Sequence, residues 1–189
     1  MAKNWGPTVE KKLSALGNSW VVLFQPSQRN QYSDNAKLVS LLMGKMGFDC
    51  IYVSLSKTHS QLLDVFRKEG IDADKVCFAD AATVGTGLPR QSLPNVVYIN
   101  SPKYLTDLSV AIDAFGPNMI GKKSVVLFDS LSSLLLYHPP QTVARFSQFL
   151  STKMRGDGKN GAFVYLEEHP QIHAELLETC DGSFSTETT

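Results

Sequence analysis

Residues 124–130 read Ser-Val-Val-Leu-Phe-Asp-Ser, a continuous apolar run that closes on an acid. Such a run needs cover on both faces. It therefore reads as a buried parallel strand with Asp129 at its carboxyl edge, where open α/β sheets bind ligands. In a nucleotide hydrolase an acid so placed positions a magnesium ion. Its partner is a glycine-rich loop after the first strand, with a lysine for the phosphates. At that place this chain reads Phe24-Gln25-Pro26-Ser27-Gln28-Arg29-Asn30-Gln31-Tyr32, with neither glycine nor lysine. A phosphate cradle needs converging backbone N–H groups, which the freedom of glycine permits, and Pro26 removes one donor outright. A neutral Gln31 cannot offset charge on a transferring phosphoryl group. Hydrolysis is not expected here.

The elements that must hold these residues follow from periodicity. Residues 20–24 read as the first buried strand. A helix is expected next, capped by Asp34 or Asn35, with Leu38, Leu41, Leu42 and Met46 at helical spacing and Gly47 as its stop. Residues 50–53, 76–79, 96–99 and 162–166 read as further strands. Helices are expected over 58–69, from the Ser101-Pro102 cap to Phe115, over 140–156 and over 170–180. Residues 81–95 read as a loop. Strands alternate with helices throughout, which implies an α/β fold: a mostly parallel sheet with helices on both faces. The whole chain, residues 1–189, reads as one domain, with a polar N-terminal segment over 1–18 and a frayed tail over 181–189.

Lysine plus arginine (18) equals aspartate plus glutamate (18), so no global field draws the chain to nucleic acid or to an acidic partner. The three cysteines, Cys50, Cys77 and Cys180, make a poor disulfide framework and read as reduced thiols. No signal-peptide or membrane-spanning run is present, and a cytoplasmic location with no membrane contact is expected.

In this order the elements resemble the RecA superfamily, specifically KaiC-like and archaeal RadA-like ATPase domains, in a three-layer fold. The specific part is 125–155. There Phe128-Asp129-Ser130-Leu131-Ser132-Ser133-Leu134 resembles the strand-Asp-Ser signature, and Phe146 through Arg155 resembles the helix that follows it. Residues 161–166 resemble the next core strand. The resemblance implies a phosphate loop whose glycines fall on Gln25 and Asn30, whose lysine falls on Gln31 and whose magnesium-binding hydroxyl falls on Tyr32. The catalytic glutamate falls near Ser56 or Lys57, neither an acid. Only Asp129 matches the pattern. The implied protein is an ATPase homologue that is not an enzyme. It would act with a protein partner or as a homo-oligomer, with no cofactor and no metal.

Two alternatives use the same scaffold. One is a nucleic-acid-binding ring subunit, similar to the RecA-fold Elongator accessory subunits. The other is an atypical nucleotide binder in which Asp129 works with Arg29 or Lys37 as a substitute cation.

Rival constellations have plainer explanations. Glu167, Glu168, His169 and His173 suggest a metal, but Pro170 places His169 before the helix and breaks the common face. Gly85-Thr86-Gly87 is a lone pair of glycines in a loop with Pro89, and nearby Arg90 offers a partner contact. Lys11-Lys12, Lys122-Lys123 and the group Lys153, Arg155 and Lys159 lack interleaved aromatics for nucleic acid. Ser130, Ser132 and Ser133 with His138 do not form a nucleophile elbow. Trp5, Tyr104, Phe115 and Tyr137 are the aromatics expected near the surface.

Overall fold

A computed structural model describes residues 5–119, 122–166 and 169–187. Helix α1 (Gly6–Ala15) opens the chain, with Pro7 in its first turn, and buries Val9 and Leu13, four residues apart on one face. Strand β1 (Val21–Gln25) follows, and a short 3-10 turn leads into α2 (Gln31–Ser40). The last turn of this helix widens over Leu41–Lys45, and Gly47, at φ 71°, supplies the left-handed residue that stops it.

Strand β2 (Asp49–Ser54) and helix α3 (His59–Lys68) come next, the helix started by a capping box between Thr58 and Gln61. Strands β3 (Cys77–Asp80) and β4 (Val96–Tyr98) precede α4 (Leu105–Asp113). The chain continues through β5 (Ser124–Asp129), the short α5 (Leu131–Leu134), α6 (Pro140–Gly156) and β6 (Asn160–Val164). It closes with α7 (Pro170–Thr179) and β7 (Gly182–Ser185).

The strands form one seven-stranded sheet in the order β4-β3-β2-β5-β6-β1-β7, and every pairing is parallel. Side chains alternate across it. Val21, Leu23, Ile51, Val53, Val126 and Phe128 face one core with α4, α5, α6 and α7. Val22, Phe24, Cys50, Tyr52, Val125 and Leu127 face a second core with α1, α2 and α3. This is a three-layer α/β domain, and the near-continuous apolar strands are the direct consequence of double cover. A ring cluster of Tyr52, Phe66 and Phe78, with centroids 5.4 to 6.1 Å apart, fills the second core, where each fully buried ring contributes roughly 1.5–3 kcal/mol.

Several expectations need correction. Asp34 and Asn35 do not cap α2; they lie buried inside it, because the helix begins directly at Gln31 behind a turn capped by Ser27. Ser101-Pro102 makes a turn, closed by Tyr104 N–H donating to the Ser101 carbonyl at 3.2 Å, and α4 starts only at Leu105. The tail is not frayed throughout: Gly182–Ser185 pair with β1 and bury Phe184. Trp5 and Phe115 are buried, because Trp5 packs on Phe24 and Phe115 joins the first core, whereas Tyr104 and Tyr137 are exposed. Among the described residues no helix is long and apolar enough to cross a membrane.

Candidate functional site at the carboxyl edge

Sheet order decides what surrounds Asp129. Strand β5 lies between β2 and β6, and Asp129 pairs in register with Ser54. The carboxylate is buried and fully engaged on both oxygens. Gln31 Nε2 donates to Oδ1 at 2.7 Å, and the Tyr52 hydroxyl donates to Oδ2. Behind them Asn35 Nδ2 donates to the Tyr52 oxygen at 3.4 Å, while Asn35 Oδ1 is buried without a hydrogen-bond partner among the described residues. Burial pushes the Asp129 carboxyl above its ordinary value, against the opposing pull of the bonds from Tyr52 and Gln31. Burial, and then the charge of Asp129, hold the Tyr52 phenol well above its usual range.

The loop after β1 is equally occupied with itself. Ser27 N–H donates to Thr186 Oγ1 at 2.8 Å and to Asp34 Oδ2 at 3.2 Å. Asn30 N–H donates to the Ser27 carbonyl and side chain at 3.1 and 3.2 Å. Tyr32 lies against the outer part of the site. Its hydroxyl is 3.1 Å from Ser56 Oγ, and Lys57 Nζ sits 4.3 Å from its ring centroid. Gln25 points elsewhere, with Nε2 placed 3.2 Å from His173 Nε2. The structure therefore gathers Gln31, Tyr32 and Asp129 around one point, keeps Asn30 in the adjoining turn, and turns Gln25 toward α7. Tyr52 and Asn35 belong to this constellation, and periodicity had marked Tyr52 only as a core strand residue.

At the level of sequence, no protein family and no curated protein matches the chain. Solved structures do match in shape. A protein of Pyrococcus horikoshii described as uncharacterized, crystallised in complex with an unknown peptide, superposes with a TM-score of 0.69 at 12% identity, over 95% of this chain and 82% of that one. A KaiC-like protein of Pyrococcus horikoshii OT3 superposes with a TM-score of 0.60 at 13% identity, over 89% and 71%. The shared fold is a three-layer α/β domain around a parallel sheet. At these identities the likeness concerns architecture, and the side chains must speak for the site.

The substitute cations lie in other settings. Lys37 pairs with the buried Asp34 at 3.7 Å, and Arg29 lines a cleft of about 390 Å³ with Gln25, Gln28, Tyr165 and Ser185. The expected basic spots are largely paired. Lys153 bridges Asp113 and Asp157, Arg155 meets Asp181, Lys159 meets Asp157 and Lys122 meets Asp49. Glu167 and Glu168 lie outside the described residues. His169 serves as a backbone partner of the Tyr165 hydroxyl, and among the described residues no group of three or more His, Cys, Asp or Glu side chains is placed to hold a metal ion. Ser130 caps α5 and Ser132 bonds to Leu166, which makes both structural.

A second buried acid escaped the sequence reading. Asp80, at the carboxyl end of β3, accepts the amides of His59, Ala82 and Thr83 at 2.7 to 2.8 Å and the Thr83 hydroxyl. Its signal was present: Val76-Cys77-Phe78-Ala79-Asp80 is the same apolar run ending in an acid that singled out Asp129.

Proposed function

We propose that this chain is a non-catalytic RecA-fold domain, a pseudo-ATPase that acts as a protein-interaction or regulatory module. The single observation that carries this reading is the bond from Gln31 Nε2 to Asp129 Oδ1. Gln31 is the residue on which the family resemblance puts the phosphate-gripping lysine, and its side chain is turned inward onto Asp129. Asp129 already accepts from Gln31 and Tyr52, so metal binding would have to break a buried amide bond and a buried phenol bond. The Ser27 and Asn30 amides are spent within the loop, and Tyr32 places a ring where a small hydroxyl would be needed. These residues do not fit a magnesium-bound triphosphate. That the Pyrococcus horikoshii protein of similar shape was crystallised with a peptide lends weight to protein interaction over nucleotide chemistry.

A thermal-shift titration with ATP and ADP, with and without magnesium, tests this. A ligand that binds the folded state alone raises its stability by about 2.7 kcal/mol at a hundredfold excess over its dissociation constant. No shift at millimolar nucleotide is expected. A magnesium-dependent shift that Asp129→Asn removes would overturn the reading in favour of an atypical nucleotide binder.

A further inference from the structure

Between the start of α1, the length of α2 and the residue after β7 lies a cavity of about 640 Å³, a size that suits a small organic molecule. Helix α2 presents Asp34 and Lys37 to it, and the widened last turn continues the same face with Leu41 and Gly44. Trp5, whose ring packs on Phe24, and Thr186 complete the wall. Neither Asp129 nor Gln31 lines this space.

Asp34 is the buried charge of the wall, with only 8% of its side chain exposed. Its two oxygens are treated differently. Oδ2 accepts the Ser27 N–H at 3.2 Å and the Thr186 hydroxyl at 3.1 Å, which fixes the carboxylate in place. Oδ1 accepts no hydrogen bond among the described residues. Lys37 Nζ stands 3.7 Å from it, an ion pair too long for a hydrogen bond and carried on a side chain 42% exposed. A carboxylate oxygen held this deep gains most from a close, charged N–H donor. Lys45 lines the cavity too, but it is 61% exposed and drawn to Glu10 at 3.5 Å. The two lysines are thus screened by solvent while Asp34 is not, so the field inside favours a cation. The Trp5 ring and Leu41 add the aromatic and apolar surface that suits an organic one.

We propose that this cavity binds a small organic ammonium. The ammonium N–H donates to Asp34 Oδ1 in place of Lys37, and the apolar or aromatic body lies against Trp5 and Leu41. Lys37 is then a built-in competitor: its own ammonium occupies the carboxylate loosely and swings into solvent when the ligand enters. This inference goes beyond the interaction reading and is independent of whether the carboxyl edge takes nucleotide.

Isothermal titration of the whole protein at neutral pH tests it, with phenethylamine as the ammonium probe and phenethyl alcohol as its uncharged counterpart. Phenethylamine should bind saturably, and the alcohol about tenfold more weakly or worse, because it brings no charge to Asp34. Lys37→Met should tighten phenethylamine about threefold or more, since the competing ammonium is gone. Asp34→Asn, checked for folding by circular dichroism, should lose the preference for the amine over the alcohol. If that variant does not fold, the Lys37→Met result and the comparison of the two probes still decide. Equal affinity for amine and alcohol overturns the proposal, as does the absence of saturable amine binding. So does a Lys37→Met variant that binds no tighter than wild type, or a folded Asp34→Asn variant that still prefers the amine.

Discussion

Tyr52 stands on β2 two residues before Ser54, the register partner of Asp129, and from there its hydroxyl donates to Asp129 Oδ2. Removing that donor leaves a buried carboxylate oxygen with one partner fewer. Tyr52→Phe should destabilise the domain by about 1–3 kcal/mol, read as a lower denaturant midpoint at unchanged slope.

The raised affinity of Asp129 for a proton has a pH consequence. Between its unfolded value near 3.9 and its higher folded value, the folded state holds the proton that the unfolded chain has lost. The stability this gives is fully present below the unfolded value and is lost as pH rises through the folded one. Asp129→Asn cannot titrate. Its stability relative to wild type should therefore improve from pH 4 towards neutrality, as followed by urea unfolding across that range. A difference that stays flat would show that the carboxyl titrates normally.

Asp80 holds the start of α3 and the turn after β3 in one place, through three amides and a hydroxyl. Asp80→Ala orphans all four donors and should cost about 3 kcal/mol or more. Native-state hydrogen exchange should speed up at His59, Ala82 and Thr83 before it changes elsewhere.

Gly161 on β6 lies against the flexible end of Met154. A Cβ there would lie 2.6 Å from Met154 Cε and 3.1 Å from its Sδ. Gly161→Ala should cost about 1 kcal/mol, since the flexible end of Met154 can shift aside, and Met154→Ala about 2–5 kcal/mol by cavity formation. Because the methyl group enters the space the methionine vacates, the double variant should be less destabilised than the sum, a coupling that a double-mutant cycle measures.

The thiols should be inert. Burial pushes Cys180 up to about 12 and raises Cys50 and Cys77 as well. Native protein near neutral pH should react with a thiol reagent far more slowly than protein in denaturant, because the thiolate is the attacking species.

The layered sheet was legible because double cover leaves a strong imprint: runs such as Val125 to Phe128 have no polar position at which to alternate. Helix ends were read less well, and the reason is local. Asp34 and Asn35 are good capping types, yet inside α2 the same polarity serves Ser27, Thr186 and Tyr52, partners that only the folded chain supplies. Ser101-Pro102 offered a cap that a turn used instead. At the site, the residue types of 25–32 showed only that neither glycine nor lysine follows the first strand. They could not tell that Gln31 would fold inward onto Asp129, or that Tyr52 would meet it from the next strand. Trp5 and Phe115 looked like surface aromatics because burial depends on what α1 and the first core cover. Asp80 was missed although its sequence signature matched that of Asp129.

Strand β1 is made early, yet both of its neighbours, β6 and β7, come from residues 160–185. During synthesis it must wait, apolar on both faces, while the β2–β3–β4 side of the sheet assembles among residues 49–98. Pairings this distant close large loops and are slow to form. The β6–β1–β7 side of the finished sheet is thus its last part to close, and a ribosome stalled before residue 160 would carry an exposed strand in search of a partner.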